Sequence, residues 1–280
     1  MILSLKFYFK FEKEKIKNNL KFLFFTCFFS SLALYTRPYL VFFPIFLIIY
    51  SIVNKNFILL KFSALFYLVL SIPGLYLLYI WGGSIYIGED QQINYISQYH
   101  HPRFILQNLI IVSTIFLFYL APIEIRQLFK KINISNKKIL ILSIILIFLF
   151  ILNYLGILEY IKEINLGGGA FLKLNQIFFG EQKFFFIFLS ALGFLMIFNY
   201  FVISKKNKVL LLSLLIFCQP RFIFQEYFEP LILILFFSLF DLKQETIKRL
   251  KENKTIIIYS IYFIAYLAAS YLYRYNYSLN

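Results

Sequence analysis

The sequence has few of the residues on which secreted domains and metal-dependent enzymes usually rely. Its 280 residues include two cysteines, two histidines and one tryptophan, and only 15% are charged. Cys27 and Cys218 both lie inside apolar runs, so they predict neither a disulfide framework nor a metal site. Asp90 and Asp241 are the only aspartates, which excludes an Asp-x-Asp motif for a metal-bound nucleotide sugar. We therefore expect no metal and no cofactor.

Apolar residues dominate what remains. They make up 61% of the chain, its mean hydropathy is +0.77, and soluble domains contain roughly 45–50%. This excludes a secreted or cytosolic enzyme and a disordered protein. The composition predicts an all-α, polytopic membrane protein with about eight to nine transmembrane helices. The apolar runs that predict these helices are 22–36, 38–53, 58–81, 104–121, 138–155, 184–203, 209–218, 230–240 and 255–273.

Two of these runs are too short to cross a membrane alone. The runs 209–218 and 230–240 are either completed by their flanks or form a re-entrant hairpin around residues 219–229. Pro73-Gly74 predicts a kink in the third run, because proline removes one backbone hydrogen bond.

The net charge of +15 favours a membrane topology over a nucleic-acid partner. If the nine runs cross the membrane in alternating directions and the N-terminus is cytoplasmic, most lysines and arginines lie on the inner side. The predicted inner segments are 1–21, 54–61, 122–138, 204–208 and 241–254. Residues 1–21 form a basic cytoplasmic or interfacial segment, 22–273 the transmembrane domain, and 274–280 a tail. The predicted outer loops are 82–103, 156–183 and 219–229.

Candidate site residues cluster in the predicted outer segments. Arg37, in Tyr35-Thr36-Arg37-Pro38, is either a snorkelling arginine at a turn or a clamp for a phosphate group. Glu89 and Asp90 are adjacent carboxylates, which either belong to a solvated turn or act as a general base or as a ligand of the acceptor hydroxyl.

Further polar residues flank later helices. His100 and Arg103 either belong to an interfacial turn with Pro102 or donate to a phosphate or a sugar hydroxyl. Arg221, Glu226 and Glu229 interrupt an apolar stretch, where they line a polar cavity or pair with each other.

These motifs fall in an order that resembles one family. The order is Arg37, then Trp81-Gly82-Gly83 with Gly88-Glu89, then His100-x-Pro102, and last Pro220-Arg221 with Tyr227-Phe228 and Pro230. It is similar to the dolichyl-phosphate-glucose-dependent α-1,2-glucosyltransferases, and more broadly to the GT-C membrane glycosyltransferases. The resemblance covers about residues 21 to 245.

The sequence also departs from the family pattern. Only Arg37 of an Arg-Gln-Thr-Asn motif is present, Glu89 takes the acidic position, and Arg103 replaces a glutamine. The family keeps a catalytic acid in a long first outer loop, whereas here the turn around Arg37 takes that place. The resemblance therefore implies a missing N-terminal portion. Three explanations stay open: a truncated gene, a chain that starts at an internal methionine, or a separate protein that supplies this portion.

The resemblance implies a GT-C fold and transfer of a sugar, such as glucose, from a polyprenyl-phosphate donor to a lipid-linked or surface glycan. It implies catalytic roles for Asp90 and Glu89, and phosphate or substrate binding by Arg37, His100, Arg103, Arg221 and Tyr227. The expected partners are donor, acceptor and membrane lipids, with no nucleic acid. The expected location is a bacterial inner membrane or an ER-type membrane, with the site on the outer or lumenal face. Two alternatives remain open: a transporter or flippase for polyprenyl-linked glycans, and a non-catalytic subunit of a glycan-assembly complex.

Overall fold

The structure is a computed structural model that describes residues 1–13, 19–80, 85–86, 92–93, 102–130, 144–146, 148–151, 169–180, 184–217 and 225–278. Nearly all of these residues are helical. The elements are α1 Ile2–Lys13, α2 Asn19–Thr36, a 3₁₀ helix Pro38–Val41, α3 Phe42–Val53, α4 Phe57–Ile80, β1 Ile85–Tyr86, β2 Gln92–Ile93, α5 Pro102–Lys130, α6 Ala170–Phe179, α7 Phe184–Phe201, α8 Lys205–Phe217, α9 Gln225–Ser238, α10 Gln244–Leu250 and α11 Asn253–Ser278.

The all-α prediction is confirmed, with one short exception. Strands β1 and β2 form an antiparallel ladder of two residue pairs inside the predicted outer loop 82–103. Of the predicted helix 138–155, residues 144–146 and 148–151 are described, and they are helical.

Several predicted boundaries differ from the structure. Helix α5 does not end before Pro122 but continues to Lys130, because proline costs one backbone bond while apolar positions continue on both sides of it. Helix α6 lies in the predicted outer loop 156–183, and α10 lies in the predicted inner segment 241–254. Both are short helices of 10 and 7 residues, which a search for long apolar runs does not detect.

Three helices in the described part of the chain are long and apolar enough to cross a membrane: Phe57–Leu77 in α4, Phe184–Phe201 in α7 and Asn253–Leu272 in α11. These helices indicate a membrane protein. The predicted count of eight to nine spans is not confirmed. Helix α3 has 12 residues and α8 has 13, so each is about 18–20 Å long, and a bilayer core is roughly 30 Å thick.

The centre of the protein is the contact between α5 and α7. Ser113 of α5 and Ser190 of α7 share a hydrogen bond of 2.8 Å between their hydroxyl oxygens. A Cβ atom on Gly193 would overlap the backbone carbonyl of Ser113. The backbones of α5 and α7 therefore approach more closely than any residue larger than glycine at position 193 would permit. Small residues at such a crossing are typical of helices that associate inside lipid.

The N-terminal helices form a second group that is joined to this centre. Helices α1 and α4 pack against α2, and α3 packs against both α4 and α8. Leu23 and Cys27 of α2 are buried against Leu59 of α4. Phe42, Phe43 and Phe46 of α3 belong to the same buried cluster as the residues of α5 and α7. The contact between α3 and α8 therefore connects the two groups.

Candidate functional site

Arg37 lies exposed at the turn between α2 and the 3₁₀ helix. Its backbone N–H donates to the carbonyl of Ala33 at 2.9 Å, which closes the last turn of α2. Its φ and ψ of −142° and 93° are extended, as expected for a residue that precedes proline. The guanidinium group is thus presented at the end of an apolar helix, a position that suits either interpretation of Arg37.

Tyr35 fixes this turn to the neighbouring helix. Its hydroxyl donates to the carbonyl of Leu70 in α4, and its ring lies so close to Gly74 that a Cβ atom there would overlap it. Pro73 lies inside α4 between these two residues and supplies no N–H of its own. Pro73 cannot donate to the carbonyl of Val69, four residues earlier, so the Tyr35 hydroxyl bonds to the carbonyl next to the one that loses its helical donor.

This contact also sets the direction of α2 and α4. Phe24 near the start of α2 contacts Phe66, whereas Tyr35 near its end reaches Leu70 and Gly74 farther along α4. The two helices consequently run the same way. The last residue of α4, Ile80, lies at the Arg37 end of the protein, and the chain enters the predicted loop 82–103 from there.

Most of the other predicted site residues lie outside the part of the chain that the structure describes. Glu89 and Asp90 fall between β1 and β2, and His100 and Arg221 also fall outside the described residues. Arg103 is the second residue of α5 and Tyr227 the third of α9, so only their helical positions are defined. Of the seven predicted site residues, Arg37 is the one whose side chain the structure describes. Whether the seven side chains lie close together therefore stays a prediction.

Two further contacts lie at the end of the protein that contains Arg37. Helix α8, whose last residue Phe217 precedes the segment that contains Arg221, packs against the 3₁₀ helix Pro38–Val41. In α6, the buried Asn175 accepts a hydrogen bond of 3.2 Å from the backbone N–H of Phe186, in the first turn of α7. The first N–H groups of a helix have no partner within it, so Asn175 stabilises the start of α7.

A buried polar network lies at the other end of α7, and sequence analysis did not predict it. Glu124 of α5 is 8% exposed, and its Oε1 atom accepts hydrogen bonds from the Tyr200 hydroxyl at 2.7 Å and the Thr246 hydroxyl at 2.8 Å. One carboxylate therefore joins α5, α7 and α10. Glu124 was missed because the predicted helix ended at residue 121, which placed it in a loop.

Asn207 makes a second buried connection at this end. Its side-chain amide donates to the carbonyls of Tyr200 at 3.1 Å and Asp241 at 3.0 Å, and its Oδ1 accepts the Asp241 N–H at 2.8 Å. Asn207 is completely buried in the first turn of α8, although the run Ser204-Lys205-Lys206-Asn207-Lys208 was predicted to be an inner loop. An uncharged residue within a lysine run was the signal that could have indicated this role.

The N-terminal helix adds a third polar contact to the same end. Tyr8 is 1% exposed, and its hydroxyl donates to Glu12 at 2.5 Å. Burial, then the negative charge of Glu12 and more weakly that of Asp241, raise the pKa of Tyr8 above its ordinary value. The hydroxyl therefore remains protonated and acts as a donor. Tyr8, Glu124, Asn207, Asp241 and Thr246 come from predicted inner segments or their immediate borders.

No three His, Cys, Asp or Glu side chains come together as metal ligands within the described ranges. Comparison of the chain with family models, with curated proteins and with solved structures found no match.

Proposed function

We propose that the protein is a membrane glycosyltransferase, or part of one, that transfers a sugar from a polyprenyl-phosphate donor to a lipid-linked or surface glycan. The observation that carries the proposal is the Arg37 turn. An exposed guanidinium at the end of an apolar helix matches a ligand that has a lipid tail and a phosphate head. The tail would contact the apolar helices, and the phosphate would meet Arg37.

The surroundings of Arg37 support this assignment. The contact between Tyr35 and α4 brings the start of the segment with Glu89 and Asp90 to the same end of the protein. The contact between α8 and the 3₁₀ helix does the same for the start of the segment with Arg221. The order of motifs in the sequence adds His100, Arg103 and Tyr227 as further candidates for binding phosphate or sugar.

In the proposed reaction, an acceptor hydroxyl attacks the anomeric carbon of the donor sugar. A carbon–oxygen bond to the acceptor forms, and the bond between the sugar and the phosphate oxygen breaks. The polyprenyl phosphate leaves with the electron pair, and Arg37 stabilises its charge. Asp90 or Glu89 accepts the proton of the hydroxyl. No metal is required, because arginines neutralise the leaving group.

The experiment uses the full chain in lipid nanodiscs. Binding of polyprenyl phosphate and transfer of labelled glucose from polyprenyl-phosphate-glucose are measured for the wild type, Arg37→Ala and Arg37→Lys. We expect Arg37→Ala to weaken binding about tenfold, the loss of roughly one charge-assisted interaction. Lys10→Ala is the matched control, because Lys10 is an exposed cation of α1 that lies over the ring of Phe22 at the start of α2, away from the Arg37 turn.

The outcomes separate the possible functions. Unchanged binding by Arg37→Ala would refute the phosphate clamp. Binding without sugar transfer, accompanied by movement of the donor lipid between leaflets, would replace the glycosyltransferase with a transporter. Binding with neither transfer nor movement would favour a non-catalytic subunit.

A further inference from the structure

The end of the protein that contains Glu124 and Asn207 also carries a group of exposed lysines. They lie in three regions: after α3, at the start of α8, and around α10. We call them the lysine surface, which consists of Lys55, Lys61, Lys205, Lys208, Lys243, Lys248, Lys251 and Lys254. The Asn207 contacts with Asp241 and the Thr246 contact with Glu124 hold the second and third of these regions together. The exposed acids in these regions, Asp241, Glu245 and Glu252, are fewer than the lysines.

Helix α10 is fixed against the body of the protein. Thr246 is 2% exposed, and its hydroxyl bonds to Glu124, whereas Lys243 and Lys248 on either side of it are exposed. A helix of 7 residues has little stability of its own, so this contact determines its position. Lys248 of α10, and Lys243 directly before it, are therefore held in place at the surface.

The lysines directly adjoin exposed apolar side chains. Lys55 is followed by Phe57 and Ile58 at the start of α4, and Lys254 is followed by Ile256 and Ile257 in α11. These four apolar side chains are each more than half exposed. A soluble polyanion matches the lysines but leaves the apolar side chains in water. A phospholipid satisfies both, since its headgroup meets the ammonium groups and its tails cover the apolar residues.

We propose that the lysine surface binds phospholipids with negatively charged headgroups. The chemistry is that of an anionic headgroup at a membrane surface. The proposal concerns the opposite end of the protein from Arg37, so it does not depend on the proposed sugar transfer.

The test measures how strongly spin-labelled phosphatidylglycerol and phosphatidylcholine associate with the full chain in bilayers. The variant replaces Lys243, Lys248, Lys251 and Lys254 with Gln, and the control replaces the same four with Arg. The Gln variant loses four positive charges that attract an anionic surface, so we expect its preference for phosphatidylglycerol to fall at least about tenfold. The Arg control should retain it.

A second measurement does not require any variant. The preference of the wild type for phosphatidylglycerol should decrease as salt is added, because exposed charges are screened. Excess inorganic phosphate at constant ionic strength should leave it unchanged if the lipid as a whole is bound. Equal association of both lipids with the wild type, full retention by the Gln variant, or displacement by inorganic phosphate would each overturn the proposal.

Discussion

Helices α7 and α11 are both long and apolar enough to cross a membrane, yet they occupy different places in the protein. Half of the residues in the apolar span of α7 are buried by other helices, whereas none of the residues in the apolar span of α11 are buried. Helix α7 meets α5 through Ser190 and Gly193, whereas α11 meets α5 through aromatic rings such as Phe263 against Tyr119. Hydropathy thus identifies both as membrane helices but does not distinguish the interior one. The close contacts of Ser190 and Gly193 with α5 make that distinction.

The largest effect is expected from Gly193→Val. The added side chain would overlap the backbone of Ser113, which cannot move without separating α5 from α7. We expect a loss of about 3 kcal/mol in the free energy of unfolding, measured in bicelles. Phe188→Leu is the control, because Phe188 lies exposed on the same helix and its change should cost less than about 0.5 kcal/mol. Equal stability of the two variants would mean that the close crossing does not hold the helices together.

Removal of the Glu124 carboxylate should have the next largest effect. In Glu124→Ala the hydroxyls of Tyr200 and Thr246 both lose their acceptor inside the protein, at a cost of about 2 kcal/mol. Glu124→Gln retains an acceptor oxygen and should lose less. The two variants are compared by thermal unfolding of the detergent-solubilised protein. If Gln is as destabilising as Ala, the role of Glu124 depends on its charge rather than on these two hydrogen bonds.

The smallest effect concerns the outer helix. Phe263→Ala removes the ring that stacks on Tyr119 at 5.8 Å and also contacts Phe118, which should cost about 1 kcal/mol. Ile261→Ala, at a position 61% exposed on the same helix, should change stability by less than about 0.5 kcal/mol in the same unfolding assay. A larger loss at Ile261 than at Phe263 would mean that another protein covers the exposed face of α11.

The sequence predicted the long elements well and the short ones poorly. The prediction of 58–81 agrees within a residue at each end with α4, because a long apolar run permits no other structure in lipid. Helices α6 and α10 were missed, since their stability comes from contacts such as Asn175 with Phe186 and Thr246 with Glu124. A single sequence does not reveal contacts between residues separated by 122 positions.

The candidate site was predictable only in part. The position of Arg37 at a turn between helices follows from the Arg-Pro pair, and the structure confirms it. The approach of Tyr35 to Gly74 depends on how α2 and α4 pack, which apolar periodicity does not specify. The roles of Glu89, Asp90, His100, Arg103, Arg221 and Tyr227 remain predictions.

The central claim is that the Arg37 turn and the lysine surface lie on opposite sides of a membrane. Single cysteines at the exposed positions Thr36 and Glu252, in a chain with Cys27→Ala and Cys218→Ala, test it most directly in sealed vesicles. A maleimide that cannot cross the bilayer should label one position from outside, and the other only after the vesicles are opened. Labelling of both from the same side would contradict the account.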